Sequence, residues 1–370
     1  MGFHIKTNLQ RAWSLARIPA VEGGGRDGFV GETIRLIAEA RHGAVAEPAH
    51  DRWRFPDGEF YDYDSRRAYA VLRFLDGNAS DINRGANLLA DNESRAILKR
   101  LLAFRALGPK RIAPPKDVRR MFENYRRARE CRIAPSDARL DPFDVARYRV
   151  SFEGHTVELD CWLGSLVATF FERQYYFERA GVAIGPRRGD IVLDSGACFG
   201  DTALAFAVSI GGEGAVHSFE PMPRQRRLYQ RNRAGNPDLA SRLNLHEFGL
   251  DSVSGRVVGF ADAGAGAAPA RRDASVDVAT ITIDDFVERA ALPRVDFIKM
   301  DIEGAEARAL TGARGTIRRF RPRLAISAYH SLEDLVGLAG HVRDIEPCYR
   351  LYLDHHSIHA EETVLYATAD

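Results

Sequence analysis

The chain has 370 residues, 45% of them hydrophobic and 28% charged, which excludes disorder throughout and leaves room for one large domain or two ordinary ones. Lys plus Arg total 52 against 51 Asp plus Glu, a formal net charge of +1, so bulk charge does not ask for a nucleic-acid partner. Cys131, Cys161, Cys198 and Cys348 lie far apart without a CxxC pair. That excludes the usual disulfide frameworks and zinc spacings and points to free thiols in a reducing compartment. The opening MGFHIKTNLQRAWSLARIPA has no continuous apolar core of a secretory signal. No stretch approaches the roughly 20 apolar residues of a membrane span. A cytoplasmic protein without a membrane span is the expectation.

In chain order, residues 1–140 read as a helical N-terminal region, 141–188 as a connector of strand and helix, and 189–370 as an α/β domain. Asp91 to Gly108 carries apolar residues at helical spacing (Ile97, Leu98, Leu101, Leu102, Leu107), with Asn92 or Ser94 as the cap and Gly108-Pro109 as the stop. A solvated helix is predicted around Asp117 to Arg129. Arg147 to Leu159 alternates as strands do, and Trp162 to Ala180 reads as a helix with an aromatic face. The aromatics Trp53, Tyr61, Tyr63 and Tyr69 suggest a small folded cap that selects an acceptor or mediates self-association.

Beyond residue 190 the pattern is strand, tight turn, helix, repeated. Strands are expected at Asp190–Leu193, Ala215–Phe219, Leu243–Phe248, Asp296–Met300 and Leu324–Ala328. Helices are expected at Asp201–Ser209, Pro223–Arg233 and Ala305–Arg314. This alternation predicts a doubly wound, mostly parallel sheet. The strands near Tyr349–Leu353 and Thr363–Tyr366 are close enough in sequence to pair antiparallel at its edge. Ala261 to Ala274, rich in Gly and Ala, reads as a mobile loop between two strands.

Three segments carry chemistry. In GDIVLDSGACFGDTALAFA a strand ends at Asp194, Gly196 and Gly200 shape the turn, and a helix opens near Asp201. Its free N–H groups favour a ligand carboxylate. Cys198 replaces the middle glycine of a dinucleotide fingerprint, which fits a smaller cofactor head than a pyrophosphate. In AVHSFEPMP, Glu220 ends the second strand about 20 residues after that turn, where a carboxylate accepts both ribose hydroxyls. Capping of the next helix, with Pro221, is the structural alternative. In VDFIKMDIEGAE, Asp301 and Glu303 end a buried strand and could hold a base, a metal or a substrate hydroxyl, whereas Glu306 suits a helix N-terminus.

Taken together, DSGACFGDT, FEP, DFIKMDIEGAE, RPRLAISAYH and ETVLYA resemble the FkbM family of methyltransferases over roughly Tyr175 to Ala367. The resemblance implies a class I methyltransferase (Rossmann-like) fold, S-adenosyl-L-methionine as cofactor, and O-methylation of a hydroxyl on a sugar, glycan or natural product. It implies that Asp194, Gly196, Ala197, Gly200, Asp201 and Thr202 line the cofactor's amino-acid part and that Glu220 and Pro221 meet its ribose. Gly249 and Leu250, within Phe248–Asp251, would neighbour the adenine, and Asp301 would face the transferred methyl group. The helix DNESRAILKRLLAFR loosely resembles a segment preceding this domain in some members.

His330 in AISAYH and His355 and His356 in LDHHSIH follow late strands, where an imidazole can take a hydroxyl proton. The catalytic candidates are Asp301, Glu303 and His330. A metal set of Asp301, His330 and His355 is conceivable, but no metal is assigned. A small-molecule or glycan acceptor is expected, nucleic acid is not, and homo-oligomerisation stays open. Two other readings remain: a non-catalytic interaction module on a cofactor fold, and a nucleotide-dependent oxidoreductase, against which the missing middle glycine counts.

Overall fold

Two apolar faces alternate along the strands of one central sheet, and each face recruits its own set of helices. The computed structural model describes residues 28–45, 64–141, 143–260 and 276–370. Trp53, Tyr61, Tyr63 and the Ala261–Ala274 segment lie outside them.

The strands are β1 (Arg132–Pro135), β2 (Val145–Phe152), β3 (His155–Trp162), β4 (Phe177–Arg179), β5 (Val182–Ile184), β6 (Ile191–Ser195), β7 (Ala215–Phe219), β8 (Leu243–His246), β9 (Gly249–Leu250), β10 (Val257–Phe260), β11 (Val276–Ile281), β12 (Phe297–Met300), β13 (Arg323–Ser327), β14 (Arg350–His355) and β15 (Thr363–Thr368). Seven form the main sheet in the order β14-β15-β13-β12-β6-β7-β8. The run β13-β12-β6-β7-β8 is parallel, and β15 is antiparallel to both neighbours. The β14/β15 pair thus sits at the sheet edge, with the antiparallel member one place in. This is the α/β doubly wound arrangement, mostly parallel, whose ligands bind outside the carboxyl ends of the strands.

Successive strand residues point to opposite sides. Leu193, Ile298, Leu324 and Leu353 join one core with the helices Phe29–Ala40, Ser65–Gly77, Asn92–Leu107 and Leu332–Ile345. Val192, Phe297, Ala325 and Tyr352 join the other with the β2/β3 hairpin and the helices Asp201–Ile210 and Pro223–Ala234. The N-terminal helices therefore share a core with the sheet. Arg179 ties them to the sheet edge: it pairs with Asp91, Glu93 and Asp354 at 3.4, 3.3 and 3.2 Å. No helix among the described residues is long and apolar enough to cross a membrane.

Several local expectations change. The segment Trp162–Ala180 is not one helix. A helical turn at Leu163–Leu166 passes into a π-helix at Val167–Phe171, closed by the i+5 bond from Glu172 N–H to Val167 O at 2.8 Å. Arg173, with φ at 52°, ends it, and β4 and β5 then form a hairpin around Ala180 and Gly181. The aromatic spacing that suggested a helix serves the packing of this hairpin against the sheet: Phe177 meets Tyr352 and Tyr366, each at a centroid distance of 5.0 Å. Asp91, not Asn92 or Ser94, caps its helix, accepting from Ser94 N–H at 2.6 Å. Ala305–Arg314 is split into Glu306–Thr311 and part of Arg314–Phe320. Gly312 lies at the break, where a Cβ would stand 2.3 Å from Asp251 O.

Candidate active site

The turn after β6 is shaped by its neighbours. Gly196 has φ at 82°, and a Cβ there would fall 1.8 Å from the backbone oxygen of Asp301. Gly200, with φ at 84°, opens the helix Asp201–Ile210, and a Cβ on it would stand 2.7 Å from the Tyr229 ring. Both glycines are thus demanded by packing within the fold as well as by backbone conformation. The first contact brings the β6 turn directly against the end of β12.

Lys299, inside β12, is the structural pivot of this junction and had no place among the expected site residues. Its ammonium donates to Ser195 O at 3.1 Å and Gly196 O at 2.7 Å and lies 3.3 Å from Asp194 Oδ1. Burial works against its charge, but Asp194, Asp301 and Asp201 outweigh burial and raise its pKa. Asp194 itself is fully buried, and its other oxygen accepts from Thr202 Oγ1 at 2.9 Å and Ser218 Oγ at 3.4 Å. Its carboxylate therefore braces the turn from behind. Asp201 accepts from Thr169 Oγ1 at 2.6 Å, and burial pushes its pKa up to about 6.

Glu220, at the end of β7, reaches back to the same turn. Oε2 accepts from Cys198 N–H at 2.9 Å and Oε1 from Met222 N–H at 2.8 Å, so the capping role coexists with the position next to the turn. Burial pushes its pKa up to about 7. Burial and Glu220 also raise the Cys198 thiol well above its ordinary range, which makes it a poor nucleophile.

At the end of β12, Asp301 accepts from Tyr175 Oη at 2.8 Å and from Tyr329 Oη at 3.1 Å. Burial and Asp301 raise both phenols far above neutrality, so they remain donors. His330 stands between carboxylates: Nδ1 is 3.2 Å from Glu306, and Nε2 is 3.4 Å from Asp301 and 3.5 Å from Glu303. Burial opposes its protonation, but these three acids carry its pKa up to about 9. Glu303 is held with φ at 55°, a conformation side chains rarely adopt, and burial followed by Asp301 pushes it up to about 7.

Asp301, Glu306 and His330 each bring a ligand atom within 4.8 Å of one another, a set that could hold a cation. The set with His355 is not formed: that imidazole is buried against Thr363 Oγ1 at 2.9 Å, and His356 meets Tyr366 Oη at 2.8 Å.

A cleft of about 1410 Å³ opens at this end of the sheet. Among the expected residues it is lined by Gly196, Asp201, Thr202, Asp301, Glu303 and His330, joined by Tyr175, Lys299 and Tyr329. Asp194, Ala197, Gly200, Glu220, Pro221, Gly249 and Leu250 do not line it. Tyr175 was hidden in the segment read as helix. A lysine inside the apolar run Phe297–Met300, next to Asp301, was the signal that could have found Lys299.

The seven-stranded order, the glycine turn after β6 and the acids ending β7 and β12 define a class I methyltransferase fold. Residues 194–352 match the family model of the methyltransferase FkbM domain. The chain is similar in structure to the methyltransferase FkbM from Methylobacillus flagellatus KT, at TM-score 0.52 and 22% identity, covering 83% of this chain and 62% of that one. At that identity the likeness establishes the fold, and the chain spans less than two thirds of that protein. Weaker likenesses, at TM-scores of 0.34 and 0.33, are to a putative rRNA methylase from Clostridium thermocellum (10% identity; 49% of this chain, 87% of that) and to Aeropyrum pernix fibrillarin in complex with S-adenosyl-L-methionine (12%; 64% and 99%). No curated protein matches the chain.

Proposed function

We propose that the chain is an S-adenosyl-L-methionine-dependent methyltransferase that O-methylates a hydroxyl of a sugar, glycan or natural product in the cytoplasm. The carrying observation is the single cleft that joins the β6 turn to the Asp301–Glu303–His330 cluster. Its volume exceeds the roughly 300–1,000 Å³ typical of small-ligand sites, room for an acceptor beside the cofactor's reactive end, while the ribose and adenine would lie past its rim at Glu220, Gly249 and Leu250.

The residues fit that cofactor. Gly196, Ala197, Gly200, Asp201 and Thr202 form the turn and helix start offered to its amino-acid end. Glu220 spends one acceptor site of each oxygen on backbone N–H groups, and a carboxylate has about four, so two remain for ribose hydroxyls. Pro221 fixes the chain beside it, Gly249 and Leu250 flank the adenine position, and Asp194 acts through Thr202 and Lys299 as a brace. When bound, the cofactor supplies an electrophilic methyl carbon on a sulfonium.

The protein's part is alignment and proton removal. Glu303, with a pKa of about 7, is the base of this reading, because His330 at about 9 is already protonated near neutrality. The His330 imidazolium holds Asp301 and Glu303 on one side while Glu306 holds its Nδ1. Tyr175 and Tyr329 fix Asp301 against the methyl position. Residues 1–140 serve acceptor selection or association, 141–188 connect, and 189–370 carry the cofactor.

Calorimetric titration of the full chain with S-adenosyl-L-methionine tests the reading, and absence of binding would sink it. Tritiated-methyl transfer to a metabolite and glycan panel separates an enzyme from an interaction module, which would bind without transferring. NAD binding in preference would favour an oxidoreductase.

A further inference from the structure

The cleft does not end at the cluster of acids. Its far wall is built by the helix Val118–Glu130, by β1 and the turn after it, and by β2, and this wall is basic. Arg129, Arg132 and Arg139 line it, with Asp144 as the accompanying acid. Burial raises the pKa of the Tyr148 hydroxyl on β2, and the charges of Arg132 and Arg129 both oppose that rise.

The pairing of the neighbouring arginines is selective. Arg126 pairs with Glu130 at 2.8 Å, Arg147 with Asp160 at 3.0 Å and Arg149 with Glu158 at 2.7 Å. None of these three lines the cleft. Arg132 and Arg139 do line it and are exposed, and among the described residues neither has a carboxylate partner. The same cleft is lined by Phe143, Trp162 and Phe199, packed edge to face at centroid distances of 5.4 Å. Aromatic faces of this kind suit the C–H face of a sugar ring, and guanidinium forks suit a phosphate or carboxylate.

We propose that the methyl acceptor is an anionic sugar, whose phosphate or carboxylate is held by Arg132 and Arg139 while one of its hydroxyls reaches Glu303. This rests on the methyltransferase reading. In the step it serves, an oxygen–carbon bond forms as the carbon–sulfur bond breaks, the hydroxyl proton passes to Glu303, and S-adenosylhomocysteine leaves with the electron pair on sulfur.

The test uses the full chain, tritiated-methyl cofactor and a low-molecular-weight metabolite extract of the native cells, split on a strong anion exchanger at pH 8. Label is expected in a product of the retained fraction. Arg132→Ala/Arg139→Ala is expected to raise KM for that fraction at least tenfold while leaving the cofactor Kd unchanged. Arg132→Lys/Arg139→Lys recovers part of the loss, which separates charge from folding. Phosphatase treatment that moves the acceptor to the flow-through assigns a phosphate, and indifference assigns a carboxylate. Label confined to the neutral flow-through, or an unchanged KM in the double alanine variant, overturns the proposal. No label from any fraction overturns the methyltransferase reading, and this inference with it.

Discussion

Replacing Lys299 by Met removes the cation at the β6–β12 junction while keeping a side chain of similar length. The Lys299 side chain is 2% exposed and that of Asp194 is fully buried, so water cannot replace the lost ammonium. Asp194 would keep only the hydroxyls of Thr202 and Ser218, and the carbonyls of Ser195 and Gly196 would lose a donor at 3.1 and 2.7 Å. Removing one partner of a buried ion pair costs about 3–5 kcal/mol, against the ~5–15 kcal/mol that holds a typical domain together. Urea unfolding followed by tryptophan fluorescence measures the difference through the shift in midpoint. The double variant Asp194→Asn/Lys299→Met removes both charges and should be more stable than Lys299→Met alone, because no unpaired carboxylate remains. A Lys299→Met protein within about 1 kcal/mol of wild type would show that the ammonium is not what compensates Asp194.

Gly196→Ala combines a positive φ with a Cβ 1.8 Å from Asp301 O, so it should cost about 2–4 kcal/mol and impair transfer by displacing Asp301; wild-type melting and turnover would contradict that close approach. The pH profile of kcat/KM should rise as Glu303 ionises through about 7 and fall as His330 loses its proton through about 9, a bell that Glu303→Gln should strip of its acid limb with a loss of roughly 10²–10⁴ in rate. Stability has the opposite sign for Glu303: its raised pKa favours the protonated folded form, so this contribution is present below its ordinary value near 4.5 and fades as pH rises through about 7, which pH-dependent urea midpoints of wild type and Glu303→Gln can resolve. Glu220→Ala leaves the N–H groups of Cys198 and Met222 without their acceptor, so cofactor affinity measured by calorimetry should fall at least tenfold; an unchanged Kd would place the ribose elsewhere.

The parallel core was legible because its strands are short apolar runs ending in Asp194, Glu220 and Asp301, separated by helices of ordinary length. Where a segment served both periods, reading failed. The aromatics of Trp162–Ala180 fit a helix, but the left-handed residues Arg173, Ala180 and Gly181 break it into a π-turn and a hairpin, and only tertiary packing against Tyr352 and Tyr366 decides between the two. The strands β10 and β11 do flank the Ala261–Ala274 segment read as a loop between two strands, whereas the helix Leu332–Ile345 was not anticipated, although Leu335, Val336, Leu338, Val342 and Ile345 are buried along it.

The site was legible as a set of strand ends and illegible as an electrostatic system. Asp301, Glu303 and His330 were expected near one another, and they are, but their protonation depends on neighbours separated from them in sequence. His330 is cationic because Glu306, expected only to favour a helix start, reaches its Nδ1 at 3.2 Å while two further acids face its other nitrogen. An imidazole in that position is no longer a base, and the proton-accepting role passes to the carboxylate that burial holds near neutrality. The exchange of roles between Glu303 and His330 follows from three distances of 3.5 Å or less, none of which the spacing of residues along the chain could supply.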